Sequence, residues 1–238
     1  MNKKIIENPI IVHNTLITLL IIRYCTRYFF LFLKRNGIHM QVQEYKTIHA
    51  PVEGEYKEKG SKFLAFAYPV HSEDEVKMLL EDLKKRHHTA RHHCWAYRLL
   101  PDGSKYRAYD DGEPSNSAGK PILGQIESFG LTQTCVIVVR YFGGTLLGVG
   151  GLMHAYKEAA KNALLSAHVI SKHVESKLRI VCDFKAVNVV ITACKQYQGS
   201  IITQDFSERC NIVCSIPLQF HQQFMHSINQ THIHAEQL

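Results

Sequence analysis

The pattern of apolar and polar positions is most regular between residues 134 and 156. Residues 135–139 form a short apolar run rich in β-branched side chains, which predicts a strand buried on both faces. From Leu152 to Leu164 apolar residues recur at helical spacing with polar residues between them, which predicts an amphipathic helix. The two elements are joined by a segment that contains five glycines: Gly143, Gly144, Gly148, Gly150 and Gly151.

This glycine-rich turn predicts either a ligand site or a tight connection in which glycines allow close packing of the backbone. The first turn of a helix carries unpaired N–H groups and suits phosphate or carboxylate. The segment is not a Walker A motif, because no Gly-Lys-Ser/Thr ends it. It is not a dinucleotide fingerprint either, because Met153 occupies the position of the required third glycine.

The pattern before this turn predicts six more elements. Residues 45–52 are extended, and 63–70 form a buried strand. Ser72 caps a helix, with Glu75 completing a capping box. Residues 94–100 and 105–109 alternate around a Pro-Asp-Gly turn and predict a hairpin. A short helix follows, capped by Ser117.

The chain after the turn predicts a second unit. Residues 166–175 are polar and irregular, which favours a linker. A strand at 177–184, a helix at 186–197, strands at 200–206 and 210–216 and a helix at 218–228 give the order β-α-β-β-α. This order within a short span indicates a small ferredoxin-like α/β sandwich. The pattern leaves open whether a last strand follows near Ile233.

Composition and charge exclude several classes of protein. The chain has 238 residues and a formal charge of +7, but residues 1–39 hold six basic residues and one acidic residue. The remaining 22 basic and 20 acidic residues nearly balance, so only a local patch would bind nucleic acid, and we expect no DNA sequence specificity. Seven cysteines without a Cys-x-x-Cys pair indicate reduced thiols and a cytoplasmic location.

Residues 1–39 differ from the rest of the chain. Two apolar stretches flank Arg23 and Arg27, which argues against a membrane helix, and no small-residue cleavage site marks a signal peptide. We expect translation to start at Met40, with a weak membrane-associating segment as the alternative. For residues 40–238 we expect no membrane contact.

Two polar clusters offer candidate chemistry. One is the histidine-rich run 87–93, and the other is the acidic loop 110–119. Adjacent histidines on a strand point to opposite faces, and neighbouring carboxylates in a loop are usually solvated or cap N–H groups. We therefore expect no metal and no cofactor, and prefer a surface that recognises phosphate or RNA, or a structural role.

Four motifs in order resemble the IMPACT (YigZ-type) family over residues 43–238. They are Arg91-His-His-Cys-Trp-Ala-Tyr97, Asp110-Asp-Gly-Glu-Pro-Ser115, Ala118-Gly-Lys-Pro121, and Arg140-Tyr-Phe-Gly-Gly144 followed by Leu147-Gly-Val-Gly-Gly-Leu152. The sequence departs from the usual pattern at Asn116, Ser117 and Lys120. Ser117 and Lys120 keep a hydroxyl and a charge, and Asn116 tolerates left-handed backbone.

The resemblance implies an α+β protein of two domains. Residues 43–166 would resemble domain 2 of ribosomal protein S5, and residues 176–238 would be the ferredoxin-like domain. Eukaryotic relatives regulate translation through an additional N-terminal recognition domain that finds no match in this sequence. Nothing before Met40 resembles the family. A proline-dipeptidase label is also attached to some members, but this chain shows no ligand set for that activity.

We therefore expect a translation-associated binding protein that contacts RNA, the ribosome or a translation partner, rather than an enzyme. The alternatives are an enzyme for a phosphate-bearing small molecule, for which no nucleophile–base pair is evident, and a protein-interaction module. Arg91, Lys120 and Arg140 would contact phosphates, while Tyr141 or Phe142 would stack on a base. The predicted surface consists of Arg91, His92, His93, Asp111, Glu113, Ser115, Ser117, Lys120, Arg140, Tyr141, Phe142, Gly143, Gly144, Gly148, Gly150 and Gly151.

Overall fold

The computed structural model describes residues 42–207, 209–229 and 233–238. The hypotheses about residues 1–39 and Met40 lie outside these residues. Within the described part the chain forms eleven strands and five α-helices, a mixed α/β architecture with several sheets. None of those helices combines the length and the apolar character that crossing a membrane requires.

The first sheet has five antiparallel strands in the order β2-β3-β6-β4-β5. Its strands are β2 (Val52–Glu58), β3 (Ser61–Pro69), β4 (His92–Leu99), β5 (Lys105–Tyr109) and β6 (Thr134–Tyr141). The apolar run at 135–139 lies in the central strand β6, which is buried on both faces as its composition predicts. The hairpin predicted at 94–109 is confirmed as β4 and β5.

One face of this sheet is covered by helix α1 (Glu73–Arg86). The predicted cap at Ser72 is confirmed, because its hydroxyl accepts a hydrogen bond from Glu75 N. The Glu75 carboxylate accepts a hydrogen bond from His71 N, one residue before the position that a capping box uses. Acidic residues in the first turn and basic residues in the last turn match the helix dipole. The apolar stripe of α1 packs on Phe66, Trp95 and Ile137.

The opposite face is covered by α2 (Gly119–Ser128) and α3 (Gly148–Leu165). Small side chains on α3, among them Ala159 and Ala163, let this helix lie close to strand β2. At Gly54 the approach leaves no room for a side chain, because an added Cβ would lie 2.3 Å from the backbone nitrogen of Ala163. The glycine therefore sets how closely α3 packs on the sheet.

The prediction that residues 166–175 form a linker is wrong for the central part of that segment. Residues 169–173 form strand β7 (Val169–His173), which pairs antiparallel with β1 (Glu44–Ile48). The side chains of β7 alternate between half-buried and exposed positions, and none is fully buried. The strand therefore lacks the apolar run by which a sequence pattern would predict it. The domain limits 43–166 and 176–238 stay a prediction.

The second large sheet has the strand order β11-β8-β10-β9 and is antiparallel. Its strands are β8 (Glu175–Cys182), β9 (Ser200–Phe206), β10 (Cys210–Pro217) and β11 (His234–Gln237), and its helices are α4 (Val187–Gln196) and α5 (His221–Asn229). The predicted order β-α-β-β-α is present, and β11 is the last strand that the sequence left open. Its separate apolar core includes Leu178, Ile212 and Phe224.

Candidate functional site

The residues of the predicted surface come from three segments, 91–93, 111–120 and 140–151, which meet at one end of the first sheet. Between them lies a cleft of about 430 Å³, lined by Arg91 and His92, by Glu113, by Arg140 and Phe142, and by residues 146–149. We call this space the first cleft. It is mainly apolar, because Leu146, Leu147 and Val149 contribute most of the turn's side chains.

A second cleft of about 450 Å³ lies on the other side of Val149. It is lined by the loop residues Ser115 and Asn116, by Lys120 of α2, and by Met153 and Lys157 of α3. Val149 lines both clefts, so the start of α3 forms a ridge between them.

The polar centre of the first cleft is a buried ion pair. Arg140 Nη1 donates to Glu113 Oε1 over 2.6 Å, with side-chain exposures of 6% and 4%. The Tyr156 hydroxyl donates to the same carboxylate oxygen over 2.8 Å, and the Cys94 thiol lies 3.3 Å from that hydroxyl. The Arg140 guanidinium lies between the rings of Phe63 and Phe142, at 5.5 and 5.6 Å from their centroids.

Arg140, which the sequence predicts to contact a phosphate, is therefore buried and paired with a carboxylate of the protein itself. Strand alternation turns its side chain toward the helices α2 and α3, where Glu113 of the acidic loop meets it. The Arg140 Nε atom is buried and has no hydrogen-bond partner among the described residues. The positive charge of the Arg140 guanidinium is neutralised by Glu113, and this ion pair attaches the acidic loop to β6.

Burial also determines the chemistry of the neighbouring Cys94 and Tyr156. Loss of solvation raises the pKa of the Cys94 thiol and of the Tyr156 hydroxyl, so both stay protonated at neutral pH. The Cys94 thiol also lies 2.9 Å from the carbonyl oxygen of Asp110. A protonated, fully buried thiol is a poor nucleophile, which agrees with a structural role for Cys94.

The carboxylates of the acidic loop are bound within the protein. Asp110 accepts hydrogen bonds from the backbone nitrogens of Asn116, Ala118 and Gly119, and thereby caps α2. Asp111 accepts one from His93 N. The predicted cap at Ser117 is wrong, since its buried hydroxyl donates instead to the carbonyl oxygen of Pro114.

Two residues of the predicted surface lie on the opposite face of the sheet. His93 is 5% exposed, and its neighbour His92 lines the first cleft. Tyr141 hydrogen-bonds His87 over 2.9 Å and packs with the cluster beneath α1, whereas Phe142 lines the first cleft. His93 and Tyr141 are therefore separated from the other predicted residues by the thickness of the sheet.

The glycines of the turn do not share one role. Gly143 packs against the β2–β3 turn, where an added Cβ would lie 1.9 Å from the carbonyl carbon of Gly60. Gly144 and Gly148 have positive φ, which glycine adopts without strain. Around Gly150 no other group lies within 4 Å of an added Cβ.

Sequence reasoning missed part of this site. Leu146, Val149 and Met153 are exposed, with Lys157 one turn further along α3. Their signal was present in the sequence, since these apolar residues lie outside the buried stripe of the amphipathic helix. Among the described residues Arg91, Lys120 and Lys157 form no ion pair and remain available for a partner.

Comparison with known proteins places this arrangement in a family. A family model for the Impact N-terminal domain matches residues 59–164, which include four of the five strands of the first sheet, the acidic loop and α3 up to Leu164. An IMPACT family member of Haemophilus influenzae is 32% identical over 175 residues, which cover 73% of this chain and 85% of that protein. This chain belongs to the IMPACT family.

Two further comparisons agree with IMPACT membership. The IMPACT family member YigZ of Escherichia coli is 33% identical over 159 residues, covering 66% of this chain and 78% of YigZ. A crystal structure of a hypothetical protein superposes with a TM-score of 0.65 at 27% sequence identity. That superposition covers 82% of this chain and 98% of the other.

Proposed function

We propose that this IMPACT family protein is a translation-associated binding protein that contacts RNA, the ribosome or a translation partner through the two clefts. The translation role rests on the family resemblance. The observation that supports a binding surface is the concentration of exposed apolar side chains from residues 142–153 and of unpaired cations from three segments around the two clefts. Exposed apolar patches of this kind are typical of interaction sites.

The internal use of the acidic loop favours binding over catalysis. The carboxylates of Asp110, Asp111 and Glu113 are bound to backbone N–H groups or to Arg140. The thiol of Cys94 and the hydroxyl of Ser117 are buried. The clefts are lined mainly by cations, aliphatic side chains and the phenyl ring of Phe142, together with His92, His154, Ser115 and Asn116. The His92 ring is hydrogen-bonded to the carbonyl oxygen of Asp111, and the Ser115 hydroxyl accepts a hydrogen bond from the Asn116 amide, so neither of these two groups is part of a nucleophile–base pair.

We extend the proposal to the fold and the location. Residues 43–166 are assigned an S5 domain 2-like fold and residues 176–238 a ferredoxin-like fold. The second assignment is supported by the β-α-β-β-α-β connectivity with an antiparallel sheet. A cytoplasmic location is supported by six free, buried cysteines among the described residues.

Co-sedimentation of the full chain with ribosomes at low and high salt tests this function. We expect association at low salt that weakens as salt rises, because the cations lie at the surface. The double variant Arg91→Glu/Lys157→Glu should lose it. The matched control Lys85→Glu alters an exposed lysine of α1, on the other face of the sheet, and should retain it. Absence of association at low salt would overturn the ribosome part of the proposal.

An enzyme for a phosphate-bearing small molecule is the second candidate. Its support is the volume of the first cleft, about 430 Å³, which lies in the range of small-molecule sites. The first turn of α3 borders that cleft and has no side-chain cap. A thermal-shift screen with nucleotides and magnesium tests it. Saturable stabilisation by one nucleotide would favour the enzyme over the binding protein.

A further inference from the structure

We propose that the two clefts bind an acidic protein segment with bulky apolar side chains, presented by a component of the translation machinery. The inference rests on the proposed function and names the chemistry of the partner. It places apolar side chains of that segment in the first and second clefts, on either side of Val149. Its acidic side chains pair with the cations around them.

The first observation is an exposed apolar stripe. Val149 and Met153 are four residues apart in α3 and therefore lie on one side of its start, while Leu146 precedes the helix and lines the first cleft together with Val149. Leu146, Val149 and Met153 are 84%, 53% and 43% exposed, and Phe142 beside them is 51% exposed. The buried stripe of α3 lies elsewhere, at Leu152, Tyr156 and the alanines that follow. The helix therefore has a second apolar side that nothing in the described chain covers.

The second observation is the shape of the surface. The ridge at Val149 separates two depressions of about 430 and 450 Å³, each large enough for a bulky side chain. Apolar anchors that insert into pockets dominate the energy of most protein interfaces. Two pockets flanking a ridge suit a segment that presents two such anchors.

The third observation is charge complementarity. Arg91 borders the first cleft, and Lys120 and Lys157 border the second. All three are exposed and form no ion pair with the described residues. The one carboxylate that lines either cleft, that of Glu113, is compensated by Arg140. The charged side chains that line the clefts therefore carry a positive net charge, which favours an acidic segment.

The side-chain types favour a protein segment over RNA. Single-stranded RNA binds through aromatic rings on which bases stack. Here the exposed apolar groups are aliphatic except for Phe142, and the Arg140 guanidinium lies 5.6 Å from the centroid of that ring. Leucine, valine and methionine offer contact area for apolar side chains without a flat stacking surface.

Selection from a displayed library of short random peptides tests the inference. The full chain is the bait, and the variant Leu146→Ser serves for counter-selection. We expect the enriched peptides to combine Asp or Glu with Leu, Phe, Ile or Met. A synthetic peptide from the selection should bind the wild-type chain, and Leu146→Ser or Lys157→Glu should weaken it by about tenfold.

The matched control is Leu165→Ser. Leu165 is 63% exposed at the far end of the same helix, so its removal tests loss of a surface leucine away from the clefts. This variant should bind the peptide like the wild-type chain. Equal weakening by Leu146→Ser and Leu165→Ser would overturn the inference.

Further outcomes separate the inference from the proposed function. Failure to enrich acidic apolar peptides overturns the inference, and so does a uridine oligonucleotide that binds in the clefts and displaces the selected peptide. Ribosome association that persists in Leu146→Ser leaves the proposed function intact while overturning the inference. In a further outcome the selected peptides bind but the wild-type chain does not associate with ribosomes. That result would support an acidic, apolar partner segment and overturn the assignment of that segment to the ribosome.

Discussion

The guanidinium of Arg140 and the carboxylate of Glu113 form an ion pair that is almost completely buried, with 2.6 Å between Nη1 and Oε1. The two residues are 27 positions apart in sequence. Their contact fastens the acidic loop to the central strand β6, and Tyr156 attaches the same carboxylate to α3. The Glu113 carboxylate thus connects three of the elements that line the first cleft: the acidic loop, β6 and α3.

We expect Arg140→Ala to lower the free energy of unfolding by about 3 kcal/mol, because it leaves the Glu113 carboxylate buried without its counter-ion. Urea denaturation measures the effect. The matched control is Lys57→Ala, which removes an exposed pair with Glu55 and should cost less than about 1 kcal/mol. Equal losses in the two variants would contradict the structural role of the Arg140 pair.

Gly143→Ala should destabilise the protein, since its Cβ would collide with the backbone of Gly60. The β2–β3 turn has to move for the methyl group to fit. Gly150→Ala is the control in the first turn of α3, where an added Cβ would meet nothing within 4 Å beyond its chain neighbours and the backbone of its own helix. The control should be neutral or stabilising, because alanine reduces the freedom of the unfolded chain. Thermal unfolding of both variants measures the difference, and a loss at Gly150 as large as that at Gly143 would refute this prediction.

The stability should fall as the pH drops through the ordinary pKa of histidine. Burial lowers the pKa of His93 below its usual 6.5, and burial also lowers that of His87. The unfolded chain therefore binds protons first on acidification, and the free energy of unfolding decreases. Urea titrations from neutral to mildly acidic pH should show this dependence, and His93→Leu should reduce it.

The control for the acid dependence is His88→Leu, which replaces an exposed histidine near the end of α1. This variant should retain the full decrease in stability on acidification. A wild-type stability that is constant over this pH range, or an unchanged dependence in His93→Leu, would contradict the assignment to His93.

Alkylation should not reach Cys94 in the folded protein. Its thiol is fully buried and its pKa is raised by loss of solvation, so little thiolate forms. Mass spectrometry of iodoacetamide-treated protein should find Cys94 modified only after unfolding in urea. As a positive control, Ser115→Cys places a thiol on the exposed part of the neighbouring loop and should react rapidly. Rapid native labelling of Cys94 would contradict its burial.

Local patterns predicted the elements whose signals lie within a few residues. The N-cap pattern at Ser72 predicted the start of α1, and alternation around a Pro-Asp-Gly turn predicted the β4–β5 hairpin. The strand β7 was missed because its partner β1 lies more than 100 residues earlier in the chain. Such a pairing has no local signature in a polar segment.

The sequence predicted which segments contribute to the candidate site, but not which of their side chains are exposed and which are buried. Strand alternation separates His92 from His93 and Phe142 from Tyr141, and the sequence alone does not say which face carries the site. A carboxylate such as Glu113 has the same appearance in a sequence whether it is solvated or buried. Its burial depends on Arg140, which only the folded sheet brings to it.

The pairing of β1 with β7 has a practical consequence for dissecting this protein. A fragment cut to the region that the family model matches, 59–164, would lack both strands of this pair and also β2, and the loss of β2 would expose the edge of β3. An unprotected edge strand invites association between copies. Expression fragments of the first sheet should therefore begin before Glu44 and extend beyond His173, so that both strands of the pair are retained.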